Sequence, residues 1–127
     1  MRILIDTHIL IWYFDGNDKL PDRYKYQLDK TENSIIVSIA SIWEIAIKIN
    51  LGKLEVTKSL TEIQSYLIKR NFEFLEVKFT HLNILSILPL HHKDPFDRLL
   101  IAQSISENFT LISLDQHFQA YPINLLQ

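Results

Sequence analysis

The chain has 127 residues, of which 47% are hydrophobic, and a net charge of −2 from 13 basic and 15 acidic residues. This length and composition suit one compact domain over residues 1–127, and the slightly acidic balance argues against a generic nucleic-acid-binding protein. The absence of cysteine excludes disulfides and thiolate metal sites. Because Asp6 and His8 interrupt any signal-peptide core and no apolar run is long enough to cross a bilayer, we predict a cytoplasmic protein without membrane contact.

The first element is an apolar run, Arg2 to Ile5, that ends directly in Asp6 and Thr7. A short aliphatic run bounded by polar residues predicts a strand buried on both faces, as in a parallel sheet covered by helices. The carboxyl ends of such strands face the ligand crevice, so Asp6 is a candidate site residue. Asp6 or Thr7 could equally serve as the cap of the helix that follows.

The rest of the chain alternates between predicted helices and strands. Helices are expected at residues 7–14, 21–30, 39–51, 60–71, 80–87 and 95–108, and further strands at 34–38, 74–77, 110–113 and 123–125. The helix boundaries rest on local signals, which are the N-caps Thr7, Ser59, Thr80 and Asp94 and the stops Gly52 and Pro89. This alternation predicts right-handed crossovers and a mostly parallel sheet in an α/β fold.

The third predicted helix, residues 39–51, is apolar at almost every position, so we expect it to be largely buried. Its polar residues Ser41, Glu44 and Lys48 fall on one narrow stripe. Glu44 precedes Lys48 by four residues, a spacing that suits a surface ion pair as well as a functional site. The apolar helices near the N-terminus and around Trp43 offer more apolar surface than one small core needs, which predicts a protein partner.

Four acidic residues are predicted to meet at one edge of the sheet. Asp6 and Asp115 each follow a strand, and Glu44 and Asp97 each lie early in a helix that follows a strand or loop. Neighbouring carboxylates repel one another unless a cation lies between them, and a carboxylate-only set selects Mg²⁺ or Mn²⁺. Such a site predicts metal-assisted hydrolysis of a phosphodiester.

Simpler roles stay open for two of these residues. Asp97 can merely complement the dipole of the helix that Asp94 caps, with Pro95 at its first position. Asp115 can be an ordinary loop residue or the cap of a short turn through Phe118.

Basic side chains are candidates for contacts with a nucleic acid. The histidines at positions 8, 91 and 92 lack partners at zinc-ligand spacing and are expected at the surface or at the edge of a substrate site. Without the four candidate carboxylates, 13 basic residues face 11 acidic ones, a balance that tolerates a modest RNA-binding surface. The candidates for contacts with RNA are Lys48, Lys53, Arg70, Arg98, His8 and His92.

Four short motifs together resemble the PIN-domain nucleases, particularly the VapC-type toxins of toxin–antitoxin pairs. They are residues 3–8 (ILIDTH), 41–45 (SIWEI), 94–102 (DPFDRLLIA) and 111–115 (LISLD), in this order along the chain. The resemblance spans nearly the whole chain and implies a three-layer α/β/α fold, whose mostly parallel sheet has about five strands in the order 3-2-1-4-5. It also implies an Mg²⁺- or Mn²⁺-dependent endoribonuclease that forms a homodimer and binds a cognate antitoxin protein.

The resemblance also assigns site residues. The acidic positions of the family carry over to Asp6, Glu44, Asp97 and Asp115. Thr7 matches the small hydroxyl residue that supports the first aspartate, and His8 stands where many members have asparagine. The same fold also allows a housekeeping RNA-processing nuclease, or an interaction module that has lost catalysis and would be expected to lack some acidic positions.

Overall fold

A computed structural model of the chain describes residues 1–126 and contains, within them, five strands, six α-helices and one 3₁₀ helix. The strands are β1 (Arg2–Ile5), β2 (Ser34–Ser38), β3 (Glu73–Leu75), β4 (Thr110–Ile112) and β5 (Asn124–Leu125). The helices are α1 (Thr7–Asp15), α2 (Asp22–Asp29), α3 (Ile39–Asn50), α4 (Leu60–Lys69), α5 (Phe79–Ser86) and α6 (Pro95–Glu107), with the 3₁₀ helix at Gln116–Ala120.

The five strands form one sheet in the order β3-β2-β1-β4-β5, and every neighbouring pair is parallel. The predicted α/β class and strand order are therefore confirmed. The register places Ile5, the last residue of β1, beside Val37 of β2 and Ile112 of β4. Because these strands end level with one another, the residues that follow them emerge at one edge of the sheet.

Each face of the sheet has its own hydrophobic core. Ile3 and Ile5 point to the face covered by α1, α2 and α4, whereas Leu4 points to the face covered by α6 and the 3₁₀ helix. The alternation follows from the two-residue period of a strand, and burial on both faces explains why β1 is aliphatic from Ile3 to Ile5. The layers are α/β/α, as predicted. Within the described part of the chain, no helix combines the length and apolarity needed to cross a membrane.

Two predicted helix starts need correction. Helix α1 is capped by Asp6, whose Oδ1 accepts a hydrogen bond from the Ile9 N–H at 2.8 Å, while Thr7 is the first residue of the helix. Helix α5 begins after Lys78 and not after Thr80. The capping box at Ser59 and the Asp94 cap with its following proline are confirmed.

Helix α3 buries its polar stripe. Ser41 is fully buried and Glu44 is 5% exposed, because the stripe packs beside Thr7 of α1 at the edge of the sheet. Most of the helix is buried or half-buried, as expected, although Trp43 is 59% exposed. Trp43 thus offers part of the apolar surface expected there, whereas the apolar residues of α1 lie in the core or pack against it.

Candidate metal centre

The carboxyl edge of the sheet brings all four predicted carboxylates together. Asp6 directly follows β1, Asp115 follows β4, and helices α3 and α6 carry Glu44 and Asp97 to the same edge. The negative charges of Asp6, Glu44 and Asp115 all raise the pKa of Asp97, which places the four groups in one electrostatic cluster.

Asp6 is the most deeply enclosed of these residues. Burial raises the pKa of Asp6, although hydrogen bonds from the Ser113 side chain and the Ile9 N–H act in the opposite direction. The nearby charge of Asp115 raises the pKa of Asp6 further. Ser113 was not predicted as a site residue. Its position directly after β4, equivalent to that of Asp6 after β1, is the sequence signal that could have indicated it.

Glu44 is buried and held by the side chains of Thr7 and Lys48. Its Oε1 accepts a hydrogen bond from Thr7 Oγ1 at 2.8 Å, and Thr7 Oγ1 also lies 3.0 Å from Ser41 Oγ. Thr7 therefore supports Glu44 and not Asp6, contrary to the expectation from the family resemblance. The anticipated ion pair with Lys48 exists at 2.8 Å, but it reaches into the site because the Glu44 side chain is buried.

Asp97 lies in the first turn of α6, and its side chain does not cap the helix. The cap is Asp94, whose Oδ1 accepts a hydrogen bond from the Asp97 N–H at 2.9 Å. Its Oδ2 is 3.0 Å from His92 Nε2. Burial raises the pKa of Asp97 to about 8, followed in effect by the charges of Asp94, Asp6, Glu44 and Asp115. The helix dipole alone does not explain this residue, because a solitary acid there would have its pKa lowered.

Asp115 caps a short helical turn, as the sequence allowed, and its charge also acts on Asp97 in the cluster. It caps the 3₁₀ helix, and its Oδ1 accepts hydrogen bonds from the backbone N–H of His117 and lies 2.9 Å from His117 Nδ1. Its Oδ2 is 2.8 Å from His92 Nε2. Burial raises the pKa of Asp115, but the hydrogen bonds from His117 and His92 outweigh burial, so that its pKa is lowered.

The histidines divide between the site and its margin. His92 is buried between Asp97 and Asp115, so the expectation of a surface or edge position was wrong for this residue. Potential ligand atoms of His92, Asp115 and His117 lie within 4.8 Å of one another. His8 is exposed, and it lines an open groove of about 310 Å³ together with Asp6 and Asp115.

Arg98 and Tyr121 hold the loop that carries His92. The guanidinium of Arg98 donates hydrogen bonds to the carbonyls of Leu88, Pro89 and His92, each at 3.1 Å. The Tyr121 hydroxyl donates to the Pro89 carbonyl at 2.7 Å and accepts from the His92 N–H at 2.8 Å. The guanidinium of Arg98 thus binds carbonyls of its own chain and has a structural role, and its contact with RNA stays a prediction.

The donor chemistry of the cluster fits a divalent cation with a preference for oxygen ligands. Carboxylates gathered in a partly buried site repel one another. Burial and this repulsion together raise the pKa of Asp97 to about 8. A cation placed among them would offset both effects. Mg²⁺ and Mn²⁺ are the ions that carboxylate oxygens select.

Comparisons with known proteins agree with this geometry. A family model described as PIN domain matches residues 3–124. VapBC2 of Rickettsia felis, solved bound to a DNA fragment from its promoter, is 20% identical with a TM-score of 0.73 and covers 99% of this chain and 98% of its own. FitAcB of Neisseria gonorrhoeae is 16% identical with a TM-score of 0.69 and covers 98% of this chain and 96% of its own. A toxin–antitoxin complex from Klebsiella pneumoniae is 17% identical with a TM-score of 0.65 and the same two coverages, 98% and 96%. No curated protein sequence matches the chain.

The raised pKa of Asp97 predicts how the metal-free protein responds to pH. The folded state keeps this proton up to about pH 8, whereas the unfolded chain releases it near the ordinary value of 3.8. The contribution of Asp97 to stability is therefore complete below the ordinary pKa and is lost as the pH rises towards 8. We expect the free energy of unfolding in EDTA to fall less between pH 5 and pH 7.5 in Asp97→Asn than in the wild type.

Urea unfolding at these two pH values measures the difference. Asp18→Asn, at an exposed acid outside the cluster, is the matched control and should keep the wild-type pH response. An unchanged slope in Asp97→Asn would show that this carboxyl group is not held protonated.

Proposed function

Because the chain belongs to the PIN domain family, we propose that it is an endoribonuclease that hydrolyses RNA phosphodiester bonds with Mg²⁺ or Mn²⁺. The proposed ligands of the ion are the four carboxylates of the metal centre, Asp6, Glu44, Asp97 and Asp115. The observation that carries the proposal is the convergence of these four carboxylates at the carboxyl edge of the sheet, where burial and the charges of its neighbours raise the pKa of Asp97.

The ion, when bound, supplies Lewis acidity towards the phosphate, the attacking water and the leaving oxygen. The chain supplies orientation. The Ile9 N–H in the first turn of α1 fixes Asp6, and Thr7 together with Lys48 fixes Glu44. Held in this way, the carboxylate oxygens keep their positions without a cation and lose little freedom when one binds.

The contacts with RNA are proposed for the side chains that border the centre. Lys48 is half-buried, and its ammonium lies 2.8 Å from Glu44, so it can offer further hydrogen bonds to a phosphate beside the site. His8 is exposed in the groove that Asp6 and Asp115 also line. Contacts with RNA are also proposed for Lys53 and Arg70, which have no described contact with the metal centre. The Arg70 guanidinium stacks on the ring of Tyr66, 3.5 Å from its centroid.

An antitoxin protein is the proposed partner, as in the toxin–antitoxin complexes to which the fold is similar. An apolar groove of about 340 Å³ lies between α3, α4 and β3, and Ile39, Ile42, Leu60, Ile63 and Phe74 form much of its lining. Such a groove suits the apolar face of an amphipathic helix. Its position on α3, the helix that carries Glu44, would allow the partner to cover the metal centre.

A homodimer is also proposed, on different surface residues. Phe79, Leu82, Ile87 and Leu90 are all exposed within twelve residues of chain, and Ile87 is 82% exposed. Exposed apolar side chains concentrated in one segment are typical of a protein interface. The toxin interpretation is favoured over a silent interaction module because all four acidic positions are present and converge.

The first functional prediction concerns cleavage. Purified protein should cleave mixed RNA in the presence of Mn²⁺ or Mg²⁺, lose this activity in EDTA and regain it on addition of Mn²⁺. Glu44→Gln keeps the shape of the side chain but removes its charge, so its cleavage rate should fall roughly 100-fold or more, as for other losses of preorganised electrostatic stabilisation. The control Glu55→Gln changes an exposed acid and should leave the rate unchanged. Cleavage that persists in EDTA would contradict the proposal.

The second prediction separates metal binding from helix capping at Asp97. In Asp97→Asn the repulsion is relieved, so the melting temperature of the metal-free protein at pH 7 should rise or hold. Added Mn²⁺ should stabilise the wild type through preferential binding to the folded state and stabilise the mutant less. Paired melting curves with and without Mn²⁺ measure both quantities. A mutant that is destabilised without metal but keeps the full Mn²⁺ increment would leave Asp97 with only a dipole role.

The third prediction concerns the homodimer. Light scattering after size-exclusion chromatography should give the mass of a dimer at micromolar concentrations, and Ile87→Lys should give a monomer because it places a charge in the apolar interface. Ile68→Lys, at an exposed position on α4, is the matched control and should remain dimeric. A monomeric wild type would remove the homodimer from the proposal without affecting the cleavage experiment.

A further inference from the structure

We propose that His92 is a positioning residue of the metal centre, which donates a hydrogen bond to Asp115, lies directly beside Asp97, and is not itself a metal ligand. The inference rests on the proposed function, because it treats the two carboxylates as ligands of the ion. His92 Nε2 lies 2.8 Å from Asp115 Oδ2 and 3.0 Å from Asp97 Oδ2.

The tautomer of His92 is fixed from the other side of the ring. Its Nδ1 accepts a hydrogen bond from the Asp94 backbone N–H at 3.2 Å. A ring nitrogen that accepts carries no hydrogen, so the hydrogen of the neutral imidazole is on Nε2, where it faces the two carboxylates. The N–H of Asp94 therefore selects the donor form of His92.

The same contact argues against metal binding by His92. A histidine that binds a metal through one ring nitrogen donates the hydrogen on its other nitrogen to a carbonyl, carboxylate or water. Ligation through Nε2 would require a hydrogen on Nδ1, directed at the N–H of Asp94. Two donors would then face each other in a buried place, which is unfavourable.

The position of His92 is fixed as firmly as its tautomer. Its backbone N–H donates to the Tyr121 hydroxyl at 2.8 Å, and its carbonyl accepts from Arg98 at 3.1 Å. The ring packs against Phe118, with the two centroids 5.6 Å apart. A side chain held in this way can set the geometry of the groups that it binds.

The consequence for the centre follows from where the two carboxylates originate. Asp97 is on α6 and Asp115 follows β4, so no local structure fixes their separation. The Nε2–H of His92 donates to Asp115 Oδ2 and lies 3.0 Å from Asp97 Oδ2, so its partial positive charge offsets part of the repulsion between the two groups. It thereby fixes the direction of the Asp115 carboxylate beside Asp97, which is the orientation that a supporting residue gives to a metal ligand.

A competing arrangement uses the same residues differently. His92, Asp115 and His117 have the donor types of a site for a borderline metal such as Zn²⁺, and their potential ligand atoms lie within 4.8 Å of one another. In that arrangement the imidazole of His92 binds the metal through Nε2. The two arrangements thus differ in the ring nitrogen that carries the hydrogen.

Nuclear magnetic resonance tests the tautomer without reference to activity. Long-range ¹H–¹⁵N correlations of the labelled protein distinguish the two ring nitrogens, and the loss of one pattern in His92→Gln assigns it among the five histidines. We expect the hydrogen on Nε2, both in metal-free protein and after addition of Mg²⁺ or one equivalent of Zn²⁺. A hydrogen on Nδ1 in any of these samples would overturn the proposal.

Three variants test the consequence for the centre. Glutamine at position 92 retains an N–H donor, whereas leucine has similar bulk and none. By calorimetry, His92→Leu should bind Mn²⁺ roughly 10- to 100-fold more weakly than the wild type, and His92→Gln should stay within a few-fold of it. The control His91→Leu changes an exposed imidazole that packs on Tyr121 and should bind as the wild type does.

Two outcomes would overturn the role of His92 as a donor. Wild-type affinity in His92→Leu would leave His92 as a packing residue, and equal weakening in His92→Gln and His92→Leu would show that the imidazole itself is required. Failure of the nuclease proposal is distinguishable, because it appears as absent RNA cleavage by a wild type that still binds Mn²⁺.

Discussion

Repulsion among buried carboxylates is the interaction on which this end of the molecule depends. The raised pKa of Asp97 results from burial and from the negative charges of four neighbouring acids. Asp6 and Asp97, whose pKa values are raised, gain no stability from such an arrangement in the absence of a cation, because their charged forms would be more stable in water. A cation bound among the carboxylates would offset this cost. The proposed metal-dependent function therefore accounts for why acidic groups are gathered here.

Most of the surrounding structure serves to hold these acids where they repel. Three of the carboxylates receive donors from elements distant in the chain: Ser113 acts on Asp6, Thr7 on Glu44, and His92 on Asp115. Charge-assisted hydrogen bonds are stronger than neutral ones, so these donors offset part of the desolvation cost. The donors also restrict rotation, which leaves the oxygens organised for an ion before one binds.

The loop before α6 shows how far this support extends. Tyr121 and Arg98 bind the carbonyls and N–H groups of residues 88–92, and this loop in turn presents His92. Within residues 1–126, neither Tyr121 nor Arg98 forms a hydrogen bond with a carboxylate of the centre. Their contribution passes through the backbone, and it explains why an arginine beside Asp97 in the sequence is used for structure.

The sequence by itself determined the α/β class, the order of the strands and the convergence of Asp6, Glu44, Asp97 and Asp115. These features follow from local signals, since aliphatic runs mark buried strands, caps mark helix starts, and parallel strands end at a common edge. Only the tertiary structure decided the partners of these acids: Thr7 binds Glu44, His92 binds Asp115, and α3 turns its polar stripe inward. The physical reason is that these contacts join residues far apart in the chain, and the direction of a side chain is set by the elements that pack around it.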